Sequence, residues 1–480
     1  MLAPPTSPMV EAIDIDDPIT AVRALAHLPY PFLLHSSAPG GRARWSFFGA
    51  DPFVVFGAGE YESARALWRA SRGAAPPTGS LPAAIPFTGG VVGYWAYDFG
   101  RRLERLPAIA ADDLGLPDVV LGFYGVVGVY DHEHRRAWLV STGMPLEGGR
   151  RAGRAQAELR RFAGLLGAAR PVEEREPAGT SAPRSAALAL PRSTFTPDAY
   201  RRGVERVQER IRAGDIFQAN LSQRWTLALP PADPTTRALA LSTALAARSP
   251  APHAAFFATP DHAIASASPE RFLELRGRRV ETRPIKGTRP RGAAPAEDAR
   301  LAAELIASAK DRAENVMIVD VLRNDLGRVC ETGSVAVTGL CELESFPQVF
   351  HLTSTVAGTL AAGHDAFDLL HACFPGGSIT GAPKIRAMEV LETLEPVRRH
   401  LYTGAIGYLD WSGDADWNIA IRTMTVTERA VHFAAGGGIT ADSDPDAEYR
   451  ETLDKAEGMR LALERVAGTV ALTPALAGRA

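Results

Sequence analysis

Strand-like and helical runs interleave along this chain without the even βαβ rhythm that a doubly wound parallel sheet requires. Short apolar runs bounded by Gly and Pro fall at 31–34, 45–48, 89–97, 119–130, 136–141, 404–409, 419–426 and 431–435. Helical spacing marks 149–166, 301–322, 383–394 and a last helix from Asp444-Pro445 to about residue 466. Another helix starts at Thr196-Pro197-Asp198, an N-cap with proline at the first helical position, and Gly214 closes it. This order predicts an α+β protein with large antiparallel sheets and an aromatic core around Trp45, Trp95, Phe123 and Tyr124.

A Pro-, Ala- and charge-rich stretch at 170–193 lacks a sustained period and reads as a linker. It separates a β-rich region, 1–169, from the main body, 194–468, with a tail at 469–480. The balance of 52 Lys+Arg against 55 Asp+Glu gives −3 at pH 7, which argues against a binder of nucleic-acid phosphate. Cys330, Cys341 and Cys373 lie far apart with no CxxC pair, so neither a disulfide framework nor a zinc knuckle is expected. The acidic, proline-broken start is unlike a secretory signal, and the run 119–130 is short for a membrane span. A soluble, cytoplasmic protein is expected.

Four constellations could carry chemistry. The segment FPGGSITGAPK at 374–384 places Ala382-Pro383 where a phosphate loop needs Lys-Ser/Thr, which excludes that loop. What remains is a glycine-rich turn feeding a helix, either a tight turn only or a seat for a carboxylate. Asp311 and Glu314, and Glu448 and Glu451 with Lys455 a turn further, form acid pairs three residues apart. Two such helices flanking a cleft could hold a hard cation, although spacing alone favours a solvated face. In ETRPIKGTRP at 281–290, Lys286 is either an amine nucleophile or a surface lysine, and Glu270 upstream is either an acid or a surface carboxylate. His351 could transfer protons or sit hydrogen-bonded in the core. Arg422 interrupts an apolar strand pattern and needs a structural partner or a ligand carboxylate. The glycines 436–438 imply close backbone approach, to a ligand or merely in a bend. In IFQANLSQRW, Gln218, Asn220, Ser222 and Arg224 alternate with an apolar face, and the simplest reading of that polar face is a solvated one.

Taken in order, the blocks GDIFQANLSQR, SPERF, PIKGTRPRG, DRAENVMIVDVLRNDLGR, HLTSTVAG, FPGGSITGAPK, YTGAIGY, NIAIRT and GGGITADSDPDAEYRETLDKAEG resemble the chorismate-utilising enzymes across about residues 195–465. That family includes component I of anthranilate synthase and of aminodeoxychorismate synthase, and the isochorismate and salicylate synthases. The N-terminal part is similar more loosely, through LLHS, RWSFFGADP and GGVVGYWAYD. The resemblance implies a two-lobed sandwich of antiparallel sheets flanked by helices. It implies Mg²⁺ on Glu314 and Glu451, with Asp311 and Glu448 holding its water. Tyr402, Arg422 and the backbones of Gly436 and Gly438 would hold the enolpyruvyl carboxylate, with Ser378, Thr288 and Lys455 also in the substrate pocket. Glu270 matches the general acid and His351 a pocket histidine.

The PIKGT form is similar to aminodeoxychorismate synthases, in which the lysine matching Lys286 is a covalent nucleophile, whereas anthranilate synthases usually carry alanine there. Water-adding members place a base lysine at Gln218, so glutamine implies that ammonia is added. The implied reaction gives 4-amino-4-deoxychorismate, on the route to 4-aminobenzoate and folate, with Glu270 raised and Lys286 lowered in pKa. No cysteine has a nucleophile-elbow surround, so the ammonia would come from a separate glutamine amidotransferase subunit. His35 stands where tryptophan-regulated relatives resemble LLES, so the expectation is a tryptophan pocket at Ser36 without feedback inhibition.

Overall fold

Short apolar runs cannot pair their backbone N–H and C=O groups internally, so they must find one another. A computed structural model describes residues 8–38, 44–72, 85–146, 149–168, 191–346 and 349–467. Among these residues the runs form a 12-stranded and a 10-stranded sheet, antiparallel throughout. The expected linker lies outside the described residues apart from Pro191, Arg192 and Ser193, and so does the tail at 469–480. Each sheet joins a block of early strands to a block of later ones along one seam. In the larger sheet, Phe32–His35 pairs with His253–Ala258; in the smaller, Gly90–Trp95 pairs with Ala405–Asp410.

The sheets stack face to face. Phe47, Val127, Phe257 and Ile264 from one meet Val92, Tyr94, Ile406 and Tyr408 from the other in a continuous apolar layer. Helices Pro18–Leu25, Gly149–Ala168, Pro234–Arg248 and Pro445–Ala467 cover the outer face of the larger sheet. Tyr61–Ser71, Ala309–Gly327 and Ala366–Cys373 cover the smaller. The result is the expected two-lobed α+β sandwich. Trp95, Phe123 and Tyr124 are fully buried, as the aromatic pattern implied, whereas Trp45 is half-buried at the margin of that layer.

Local structure departs from the sequence pattern at four places. The run 119–130 is two strands, Val119–Tyr124 in the smaller sheet and Val126–Asp131 in the larger, joined at Gly125. Apolar content alone cannot register such a crossing. The pattern 301–322 is two helices, Pro295–Ala307 and Ala309–Gly327. Ser308 leaves helical geometry at ψ 107° and accepts from Asp311 N at 3.2 Å, so a hydroxyl cap competes with continuation. The run 419–426 also breaks: Ala415–Ile419 belongs to the smaller sheet and Thr423–Thr427 to the larger. Arg422 therefore lies in the crossing, at φ 48°, and not on a strand.

The fourth departure concerns Gln218–Ala228, the strand whose polar face read as solvated. Gln218, Asn220, Ser222 and Arg224 are all buried, whereas Phe217, just before the strand, is 69% exposed. Each polar side chain there has been given a use. Gln218 donates to Glu314, Ser222 to Glu395, and Arg224 pairs with Asp113. A polar face is buried at tolerable cost only when it is bonded this way. Replacing the Ser308 cap offers a check on the helix break: Ser308→Ala should lower stability to urea by about 1 kcal/mol, and Ser308→Asp should largely restore it.

Candidate functional site

Two neighbouring chain crossings build the floor of the site. Strand His262–Ser268 of the larger sheet leads through Pro269-Glu270 into Arg271–Arg276 of the smaller. Beside it, Ala415–Ile419 returns through Ala420-Ile421-Arg422 to Thr423–Thr427. The crossings are tied by Ile419 N to Glu270 O at 3.0 Å, Ala267 N to Arg422 O at 3.0 Å, and Ser268 Oγ to Ile419 O at 2.6 Å. Glu270 and Arg422 thus leave the ladders at one place.

Glu270 is buried, and Ser378 Oγ, from the glycine-rich turn, donates to its Oε1 at 2.7 Å. Burial pushes this carboxyl up to about 7, against the pull of Ser378, Lys286, the Ile285 N–H and Lys455. Arg422 is the converse case. Its guanidinium has no hydrogen-bond or ion-pair partner among the described residues, and burial alone lowers its pKa. An unpaired guanidinium in a crevice is costly unless something anionic comes to it.

Lys286 lies on Ile285–Pro290 at the edge of the smaller sheet. A Cβ on the next residue, Gly287, would stand 3.0 Å from Asp311, so this strand runs against the acid-bearing helix, and the Lys286 charge helps to hold down both Glu270 and Glu451. Two residues on, Thr288 Oγ1 lies 2.9 Å from His351 Nδ1 across the paired strands. The His351 ring is buried, and burial followed by the Arg422 charge drives it down to about 3. It is neutral at physiological pH and can hold a tautomer for Thr288, but it is no cationic acid.

The four acids arrive from two helices. Ala309–Gly327 carries Asp311 and Glu314; Pro445–Ala467 carries Glu448, Glu451 and Lys455. The glycines of Ala430–Ile439 let them close in. A Cβ at Gly437 would stand 2.6 Å from Glu448 Oε2 and 3.6 Å from Glu451 Oε1. One at Gly438 would stand 1.9 Å from Gln218 Nε2 and 2.8 Å from Glu314 Oε1. A side chain at either position would have to displace these carboxylates or the Gln218 amide.

Each acid also holds a protein donor. Gln218 Nε2 donates to Glu314 at 2.6 Å, Lys455 Nζ reaches Glu451 at 2.6 Å and Gly436 O at 2.9 Å, and Arg289 reaches Asp311 at 3.2 Å. Ser443 Oγ donates to Glu448 Oε1 at 2.6 Å. Burial raises Glu448, while in Glu451 burial is outweighed by Lys455, Lys286 and Lys310 together, which lower it. Two buried oxygens, Glu448 Oε2 and Gln218 Oε1, have no partner among the described residues.

No three of these four acids bring ligand oxygens within 4.8 Å of one another; among the described residues only Asp131, Glu133 and His134 do. There the Arg44 guanidinium already lies 2.7 Å from Asp131 and 3.2 Å from Glu133, the place a metal would take. Oxygen donors with an orphaned buried carboxylate atom nonetheless fit a small hard cation at the Glu314–Glu451 cleft.

Tyr402 lies in the segment after helix Lys384–Leu394, with burial pushing its hydroxyl up to about 12 against the pull of Arg399 and the Asn220 side chain. Glu270, Lys286, Ser378, Thr288, His351, Arg422 and the acid cleft are thus one neighbourhood. Ser36 is elsewhere. It lines a cavity of about 260 Å³ at the seam between early and late strands, with His35, Arg271, Glu274 and Asp416. Asn220 and Ser443 were missed by the sequence reading. Asn220 belonged to the face taken as solvated, and Ser443 had no local signal.

With this geometry in hand, comparison with known proteins gives the class. The model of the chorismate binding enzymes matches residues 31–460. The chain is 44% identical to an aminodeoxychorismate synthase component 1 of Klebsiella aerogenes, over 79% of this chain and 78% of that one. It is 40% identical to an anthranilate synthase component 1 of Thermus thermophilus, over 94% and 96%. The crystal structure of anthranilate synthase component I from Streptococcus pneumoniae superimposes with a TM-score of 0.70 at 32% identity, covering 88% of this chain and 93% of that one. The chain belongs to the chorismate binding enzymes, and it is a chorismate-utilising enzyme. Among the described residues no helix is long and apolar enough to cross a membrane.

The Glu270 environment has a thermodynamic signature. Its folded value of about 7 exceeds the ordinary 4.5, so the folded chain keeps a proton that the unfolded chain releases in that interval. Stability from this group is greatest below pH 4.5 and declines as pH rises toward 7, by about 3 kcal/mol in all. Glu270→Gln should therefore melt higher than the parent at pH 8 and alike at pH 4, while catalysis falls about a hundredfold or more. Calorimetry at the two pH values checks the first part.

Proposed function

We propose that this protein is the chorismate-aminating component of an aminodeoxychorismate synthase. The observation that carries the reading is Lys286 itself, on a strand whose next residue, Gly287, packs against Asp311 and whose Thr288 pairs with His351, with buried Glu270 feeling its charge. A lysine so placed has little structural purpose, since no ion pair within 4.0 Å holds it among the described residues.

Chorismate carries two carboxylates. The unpaired Arg422, with Tyr402 and the Gly436 and Gly438 backbone, would take the enolpyruvyl carboxylate. Glu314 and Glu451 would hold Mg²⁺, with Glu448 and Asp311 behind it. When bound, the ion supplies positive charge for the ring carboxylate. Such clamps act by orientation.

Lys286, in its uncharged form, would attack C2 as the C4 hydroxyl departs with the proton of Glu270. A group titrating near 7 can be protonated on substrate arrival and still release that proton. Ammonia then attacks C4 and expels the lysine nitrogen from C2. The sum is chorismate plus ammonia to 4-amino-4-deoxychorismate plus water, with the enolpyruvyl group retained. The covalent stage divides one poor displacement into two. Gln218 is engaged with Glu314 and offers no base for water, consistent with ammonia as the incoming nucleophile. The ammonia would be supplied by a glutamine amidotransferase subunit, and the product would serve 4-aminobenzoate and folate synthesis. The cavity at Ser36 would take the tryptophan that the sequence resemblance implies.

A second reading, anthranilate synthase component I, is favoured by the near full-length match to the Thermus thermophilus protein. Chorismate, ammonium and Mg²⁺ decide between them. The proposal expects a non-aromatic amine that becomes 4-aminobenzoate only when a lyase is added; fluorescent anthranilate without a lyase overturns it. Lys286→Ala should abolish any covalent adduct seen by mass spectrometry and depress turnover sharply while chorismate still binds. Undiminished turnover would remove the lysine from the mechanism.

A further inference from the structure

Helix Lys384–Leu394 ends at Glu395, and four residues later Arg399 turns back onto it. Their side chains are 8% and 3% exposed and joined twice, by Arg399 Nε to Glu395 Oε2 at 2.8 Å and Nη2 to Oε1 at 2.7 Å. A two-pronged ion pair this deep gains little net stability, because desolvating both charges offsets most of their attraction. Its reach is the informative part. Arg399 Nη1 donates to Ile379 O at 3.0 Å, the carbonyl directly after Ser378. Arg399 Nη2 donates to Asn220 O at 2.5 Å, and the guanidinium lies 5.9 Å from the Tyr402 ring centroid. Glu395 Oε1 accepts from both the backbone N–H and the hydroxyl of Ser222, at 2.9 and 2.8 Å. Asn220 and Ser222 are the residues paired in register with Gly438 and Gly436.

One guanidinium and one carboxylate therefore fasten the turn bearing Ser378 to the strand bearing Gln218, and the Arg399 backbone carbonyl accepts from Tyr402 N at 3.1 Å. The geometry points to Arg399 and Glu395 as positioning residues for the reaction, fixing the turn so that Ser378 stays on Glu270 and the general acid is aimed. This rests on the reading under Proposed function. Lysine could keep the charge at 399 but not the planar fork, so the distinction is between charge and geometry.

The test is Arg399→Lys, with Glu395→Gln as a second variant should the first not fold. Rates are read as ammonia-dependent loss of chorismate, whichever product forms. A displaced acid should lower kcat by about a hundredfold with a much smaller change in KM. Because Ser378 holds the Glu270 carboxyl down, its release should move the alkaline limb of the kcat profile to higher pH, as Ser378→Ala should. Lys286 and Lys455, the other charges acting on Glu270, are untouched. The double variant Ser378→Ala/Arg399→Lys should show no further shift beyond Ser378→Ala. A lowered melting temperature with an unmoved limb, or shifts that add in the double variant, overturns the assignment. Infrared titration of the Glu270 carboxyl, assigned against Glu270→Gln, repeats the comparison without turnover. A parent that consumes no chorismate would defeat the functional reading while the infrared shift still decides the role of the pair.

Discussion

Two strands that change sheets side by side set the chemistry of this protein. At 269–270 and 420–422 the chain leaves one ladder and enters the other, and three hydrogen bonds lock the two crossings together. A crossing is where a strand can present a side chain between layers instead of above or below them. Glu270 and Arg422 are both carried there. Arg422 accepts a left-handed backbone at φ 48°, a conformation that costs a non-glycine residue about 1 kcal/mol or more. Sheet pairing on both sides supplies the constraint that holds it.

The electrostatics around that floor run in opposed pairs. Glu270 is buried and drawn toward neutrality, whereas Glu451 is held ionised by Lys455 beside it. Among the described residues, Arg422 is a cation without an anion and Glu448 keeps one oxygen without a donor. Uncompensated groups of both signs suit the proposed function, in which a substrate with two carboxylates and a divalent ion would meet them. Much of what the fold spends in desolvation is thus returned only when the ligand binds, which is how preorganised sites gain orientation.

The sequence carried the class of fold well, since interleaved runs with Gly and Pro ends leave antiparallel pairing as the economical solution. Helix starts at Thr196 and Pro445 were legible because capping is local chemistry. The crossings at Gly125 and Arg422 were not, because apolar runs look alike whichever sheet they join. The buried polar face of Gln218–Ala228 was also illegible, as its partners Glu314, Glu395 and Asp113 lie 96, 173 and 111 residues away. For the same reason the acid pairs looked solvated: helical spacing reports which residues share a face, not what approaches it. Their grouping came from motif resemblance, and the glycines at 437 and 438 explain physically how it is possible.

The seams between early and late strands have a consequence for how such a chain can be divided. Each sheet is a block from the first 141 residues zipped to a block from beyond residue 191 along one strand pair. Cutting the early third away would bare a long interior edge in both sheets at once, each a template for pairing with another molecule. The early region is therefore no detachable appendage: it is the lid on two adhesive edges, and a truncated chain would be expected to aggregate before it could be assayed.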